Sequence, residues 1–192
     1  MNHINTITKK IDNLLNTKER IIIAIDGRCA SGKSTLAHAL SKIYPCNIFH
    51  MDHFYLPNSK RSKETYKEIG GIIDFQRFNS DIVVPLRMGS TINYEVFSCS
   101  QQKLTMTASI LPKKITIIEG AYCLHPNIKI DYDFMIFLTH DKTSQYQRII
   151  KRDGTHKLPQ FLNTWIPLEE NYLASYQIIK KCHIILDTSM IW

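Results

Sequence analysis

The sequence has no apolar run near the ~20 residues that a helix needs to cross a bilayer, anywhere in its 192 positions. Its polar start, Met1-Asn2-His3, does not read as a secretory signal. A C-x-x-C pair is missing too: Cys29, Cys46, Cys99, Cys123 and Cys182 are scattered and odd in number. That pattern argues against a disulfide frame or zinc site and for free thiols in a reducing cytoplasm. Although the formal net charge is +7, the basic residues form no dense run with interleaved aromatics. A small anionic substrate such as a triphosphate explains that charge better than nucleic acid does. Internal repeats and low-complexity tracts are absent. With 44% hydrophobic and 21% charged residues, the remainder reads as one globular domain with a substantial core.

Glycine is scarce, seven residues in all, yet Gly27 and Gly32 bound the segment G-R-C-A-S-G-K-S. It follows the apolar run Ile21-Ile22-Ile23-Ala24-Ile25 directly. This is the G-x-x-x-x-G-K-[ST] phosphate loop in its required setting, between a buried strand and a helix start. The glycines allow a close backbone approach, so that successive N–H groups face the phosphates. The helix end adds its positive dipole, Lys33 a mobile charge, and Ser34 a hydroxyl for Mg²⁺. The residues expected to hold the nucleoside triphosphate, ATP with Mg²⁺, are Gly27, Ala30, Ser31, Gly32, Lys33, Ser34 and Thr35. Cys29 lies inside the loop. The helix end is expected to lower its thiol pKa, so that thiol reagents inhibit and ATP protects.

Apolar spacing predicts an amphipathic helix over residues 3–17, packed at a sheet edge, then a strand over 21–25 and a helix over 33–43. A second strand falls at 47–51, a mobile loop at 57–71 and a helix within 74–86. Residues 92–97 and 104–110 read as a β-hairpin. Strands follow at 115–118, 134–138 and 183–186, with helices at 144–151 and 168–180. Helices alternating with continuous apolar strands imply an α/β fold, a five-stranded parallel sheet covered on both faces. The expected organisation is a single P-loop domain over 1–192, with an inserted acceptor-binding hairpin region at about 72–111 and a helical lid at about 148–166.

In such a sheet the ligand sits beyond the carboxyl ends of the strands. Asp52 follows the second strand and Glu119 the third, beside the phosphate loop. Phosphoryl transfer to an alcohol needs one carboxylate for the attacking hydroxyl and another for Mg²⁺, and these positions suit Asp52 and Glu119 respectively. The plainer alternative for each is a cap or turn carboxylate. Arg148 and Arg152, four apart, share a helix face. They are candidates for a lid that stabilises the transferring phosphoryl group, with Lys151 able to replace either; a solvated basic face is the alternative. His50 and His53 have a metal-like spacing but read better as satisfied loop histidines.

With these elements placed, residues 20–187 resemble the uridine kinase branch of the P-loop nucleoside kinases, which also resembles phosphoribulokinase. The resemblance rests on I-A-I-D-G-R-C-A-S-G-K-S-T and Asp52-His53-Phe54-Tyr55, on Pro85-Leu86 leading to Tyr94, on Ile118-Glu119-Gly120-Ala121-Tyr122, and on Arg148 through Asp153. It implies ATP-dependent phosphorylation of the 5′-hydroxyl of a pyrimidine nucleoside, with Asp52 as base. Tyr55, Phe78 and Tyr94 would line the nucleoside pocket, and Arg148 with Arg152 or Lys151 would serve the lid. Homo-oligomerisation is a further implication. The departures fall on the acceptor side: Asn79 stands where the family carries an Asp for ribose, Cys99 where a base-reading His is common, and Gly154-Thr155-His156-Lys157 where an R-G-R segment is usual.

Three function classes follow. The first is a kinase for a nucleoside, or for another sugar-like or vitamin-like alcohol. The second is a regulatory NTPase, against which stand the missing N-K-x-D motif and the missing D-E hydrolytic pair. The third, nucleic-acid binding, has only the net charge behind it.

Overall fold

The computed structural model describes residues 2–98, 101–106 and 109–190. Its strands are β1 (Ile21–Gly27), β2 (Cys46–His50), β3 (Glu95–Ser98), β4 (Lys103–Met106), β5 (Ile115–Glu119), β6 (Phe134–Thr139) and β7 (Ile184–Asp187). Five form one sheet in the order β2-β5-β1-β6-β7, and all its pairings are parallel. β3 and β4 form the separate antiparallel hairpin. Among the described residues no helix is long and apolar enough to cross a membrane.

Strand alternation sorts the core into two layers. Ile21, Ile23, Ile25, Ile117, Phe134 and Ile136 join α1 (Asn2–Leu15) and α2 (Lys33–Ser41) in one cluster. Ile7 and Ile11 of α1 are fully buried there, each contributing about 1.5–3 kcal/mol. Ala24, Phe49, Ile118 and Phe137 belong to the opposite cluster, with Phe54, Phe78, Tyr94 and Tyr172.

The opposite layer departs from the sequence-based expectation in its helices. Residues 57–71, expected as a loop, contain α3 (Lys63–Lys67), started by a capping box between Ser62 and Thr65. The helix expected within 74–86 is composite: α4 (Phe75–Phe78), a π turn over Asn79–Val83, and α5 (Val84–Met88). After β6 come α6 (Lys142–Asp153), α7 (Leu158–Gln160), a second π turn over Phe161–Trp165, α8 (Ile166–Ser175) and α9 (Ile178–Lys181). Each π turn ends two residues before a proline, Pro85 or Pro167. A proline has no N–H to donate and its ring crowds the carbonyl four residues back, and a widened turn relieves both. Gln177, at φ 50°, separates α8 from α9, so the helix expected over 168–180 is broken there.

Parallel pairing puts the ends of β1, β2 and β5 at one edge of the sheet. Ile25 and His50 are both in register with Glu119. The phosphate loop, Asp52 and Glu119 thus emerge side by side.

Candidate active site

The phosphate loop is built by its glycines. Gly27 has φ +150°, and a Cβ there would lie 2.2 Å from the Leu138 carbonyl oxygen. This is a contact that no side chain tolerates, so Gly27 secures the approach of the loop to β6. Gly32 caps α2 in the left-handed region at φ 93°, and Ala30 adopts φ 61°. Lys33 Nζ folds back to donate to the carbonyls of Gly27 (2.8 Å) and Arg28 (3.0 Å). Burial opposes its charge, but Glu169, Cys29, Asp26 and Glu119 outweigh that and raise its pKa.

Ser34 Oγ donates to Glu119 Oε1 at 2.9 Å, and His50 Nδ1 lies 2.5 Å from the same oxygen. The Glu119 hydrogen bond raises the His50 pKa. A hydroxyl and a carboxylate side by side at the start of α2 are hard oxygen donors of the kind Mg²⁺ takes when phosphates supply the rest. Among the described residues no cluster of three or more His, Cys, Asp and Glu offers an all-protein metal site. The Ser34–Glu119 oxygens fit a nucleotide-borne Mg²⁺ by their donor chemistry. His53 engages the Tyr94 hydroxyl at 3.0 Å, and burial lowers its pKa to about 4.

Asp52 opens on the cavity while protein surrounds it. Desolvation and then Glu119 raise its pKa, against Lys33, a hydrogen bond with Tyr55, and Arg152. A carboxylate with a raised pKa near cations is suited to accept a proton from an alcohol.

Three contacts reach the loop and the end of β1 from α8, and sequence reasoning did not assign them. Glu169 Oε1 accepts the Cys29 N–H at 2.8 Å. Glu170 takes a two-pronged ion pair from Arg28, at 2.7 and 3.0 Å. The Tyr172 hydroxyl donates to Asp26 at 2.7 Å; Asp26 also accepts Gly27 N–H and Leu124 N–H. A signal for this existed: Glu169 shares a helical stripe with Tyr172, Leu173 and Tyr176 at i, i+3, i+4 and i+7. A carboxylate on such a face needs a buried partner. Cys29 itself is corrected: burial first, then Glu169, raises its thiol pKa, where a lowered value was expected.

The arginines of α6 divide. Arg148 donates to Thr188 Oγ1 at 3.0 Å, to the Thr188 carbonyl, and to the Ala30 carbonyl at 3.4 Å. It braces the loop against the end of β7. Arg152 pairs with Asp153 at 2.8 Å, approaches Cys29 Sγ at 3.8 Å and faces the Phe161 ring at 5.8 Å. Both line the cavity, as does Lys151.

That cavity, about 1030 Å³, extends from the loop past Asp52 to Tyr55, Arg61 and Gln102, and to Phe161 and Trp165 after α7. Pockets for a single drug-sized ligand span roughly 300–1,000 Å³, and this cavity is at the top of that range. Ala30 through Thr35 line it; Gly27 does not. Of the residues that the resemblance assigned to the acceptor, Asp52 and Tyr55 line it, while Phe78, Asn79 and Tyr94 do not. Phe78 is fully buried, edge-on to Phe54 at 4.9 Å. Tyr94 is buried and stacked on Phe54 at 5.5 Å. The Asn79 amide bonds the Asn127 carbonyl and the Lys129 N–H, at 2.7 and 2.9 Å. Both aromatics are taken up by core packing, and Asn79 by a loop. Cys99 lies outside the described residues.

Sheet order, phosphate loop and strand-end carboxylates define an α/β P-loop nucleotide-binding fold. Several solved structures share that fold over nearly the whole chain. A possible uridine kinase from Bacillus stearothermophilus matches with TM-score 0.68 at 21% identity, over 95% of this chain and 100% of that one. A structure provisionally described as a fructose transport system kinase, from Silicibacter sp. TM1040, matches with TM-score 0.71 at 19% identity, over 94% and 97%. YFH7 from Saccharomyces cerevisiae, provisionally described as a circularly permuted P-loop kinase, matches with TM-score 0.63 at 13% identity, over 95% and 97%. At these identities the likeness is one of fold. No protein-family model matches the sequence.

Proposed function

We propose that the protein is an ATP-dependent phosphotransferase whose acceptor is the hydroxyl of a small polar molecule. One observation carries this reading: Asp52, Lys33 and the Ser34–Glu119 pair all line a single cavity beside the phosphate loop. The loop amides and Lys33 hold the β- and γ-phosphates. Ser34 and Glu119 would hold Mg²⁺, which when bound neutralises charge on those phosphates. Asp52, oriented by Tyr55, accepts the proton of the attacking hydroxyl. Arg152 and Lys151 supply positive charge beside the transferring group, and the Phe161–Trp165 segment screens it from water.

The acceptor reading inherited from the uridine kinase resemblance is the 5′-hydroxyl of a pyrimidine nucleoside. The burial of Phe78 and Tyr94 removes the aromatic faces it relied on for the base. Tyr55, Asn58, Arg61 and Gln102 give this end of the cavity a polar wall, which favours a compact sugar-like or vitamin-like alcohol. Structures of this fold carry names pointing to uridine and to fructose transport alike, so fold alone does not choose. The test is a panel of nucleosides, sugars and vitamin alcohols, scored for acceptor-stimulated ADP release with Mg-ATP. Stimulation by a sugar-like or vitamin-like alcohol but by no nucleoside is expected. Steady hydrolysis unaffected by every acceptor would contradict the kinase reading and favour a regulatory NTPase.

A further inference from the structure

Glu169 is a buried carboxylate of the cavity wall to which the proposed chemistry gives no role. It is 4% exposed, comes from α8, and binds the backbone N–H of the third residue of the phosphate loop. Amides of this loop exist to meet phosphate oxygens, and here a protein oxygen occupies one of them. We propose that Glu169 is a positioning residue for nucleotide binding: its carboxylate holds the Cys29 amide before nucleotide arrives and takes up a proton when the triphosphate enters. The inference rests on the nucleotide reading of the loop.

The charges around Glu169 make this exchange workable. Lys33 favours its ionised form, while Asp26 on β1 and the neighbouring Glu170 disfavour it. Burial first, and then the Glu169 charge, raises the pKa of both Cys29 and Tyr122. Glu170 is itself partly neutralised by Arg28. Burial is the largest influence, and the balance brings the Glu169 pKa up to about 7. An arriving magnesium triphosphate carries net negative charge and engages Lys33, whose charge favours the carboxylate. Both effects push the pKa higher still. The proton comes from solvent and forms an O–H bond on Glu169; release of nucleotide returns it. Affinity is therefore greatest below about pH 7, where Glu169 is protonated in both states, and declines as pH rises above that.

Isothermal titration of the intact protein with Mg-ATP at about pH 8, in two buffers of different ionisation heat, reads the proton directly. Wild type should take up a large fraction of one proton, with Kd weakening by at most ~10-fold per pH unit. Glu169→Gln offers Cys29 the same acceptor without a titrating group, so it should bind Mg-ATP with no added uptake and a flat Kd across that range. Binding by wild type without proton uptake, or uptake by Glu169→Gln equal to that of wild type, would overturn the proposal and leave the nucleotide reading intact. The wild-type result stands as a test even if the variant does not fold. No Mg-ATP binding at all would overturn the nucleotide reading and this inference with it.

Discussion

Ser34 and Glu119, 85 residues apart in sequence, hold one another at 2.9 Å. The contact ties the start of α2 to the end of β5 and leaves a hydroxyl and a carboxylate side by side where the phosphates of a nucleotide would lie. His50 steadies the same carboxylate oxygen from β2.

Removing that support should therefore act through Mg²⁺. His50→Ala is expected to raise the Mg²⁺ concentration needed for half-maximal activity by ~10–100-fold, the usual consequence of losing a partner of a metal ligand. Glu119→Gln should do at least as much. Titrating activity with Mg²⁺ at fixed ATP measures both, and unchanged midpoints would remove Glu119 from the metal site.

Tyr172→Phe takes a donor from Asp26, which is fully buried. Losing one bond to a buried carboxylate should cost ~1–3 kcal/mol in urea unfolding. The pH dependence has a definite sign. Burial holds the Asp26 pKa above its ordinary value even with the Tyr172 bond. In the window between the two pKa values the folded state binds more protons than the unfolded one, so this group's contribution to stability falls as pH rises through it. Tyr172→Phe, by removing a bond to the ionised form, should widen that window and steepen the fall. A stability–pH curve parallel to wild type would exclude Asp26 as the origin.

Cys29 should alkylate slowly. Its thiol pKa is raised by burial and by Glu169, and the thiolate is the reacting form. At about pH 8 its rate with iodoacetamide is expected below that of a small free thiol, faster in Glu169→Gln, and suppressed by Mg-ATP. A rate above the free thiol would restore the lowered pKa that loop position alone suggested.

Much of the donor side of this site was legible in the sequence because it depends on local pattern and on one topological rule. Gly27–Ser34 identify themselves by spacing, and a parallel sheet brings Asp52 and Glu119 to the same edge. The acceptor side depends on which way side chains point. Phe78 and Tyr94 fit a family pattern, but the packing of Phe54 between them draws both into the core. Glu169 required knowing that α8 lies against the loop, a long-range contact. Its only local trace is a carboxylate on an apolar stripe. The two π turns follow from Pro85 and Pro167, whose effect on a continuing helix is readable only once the helix is known to continue.

In the proposed mechanism Asp52 sets the acid side of the rate profile. It must be ionised to accept the acceptor's proton, and desolvation followed by Glu119 raises its pKa above the ordinary 3.8. Activity should therefore decline on acidification at a higher pH than an unperturbed aspartate would give.

The most direct measurement is a comparison of Asp52→Asn with wild type for two quantities: Mg-ATP affinity, and phosphoryl transfer to whichever alcohol the panel identifies. Transfer should fall by ~10²–10⁴-fold, the usual contribution of a general base, with affinity for Mg-ATP changed no more than a few-fold. Transfer at the wild-type rate would contradict Asp52 as the base and, with it, the proposed phosphotransferase mechanism.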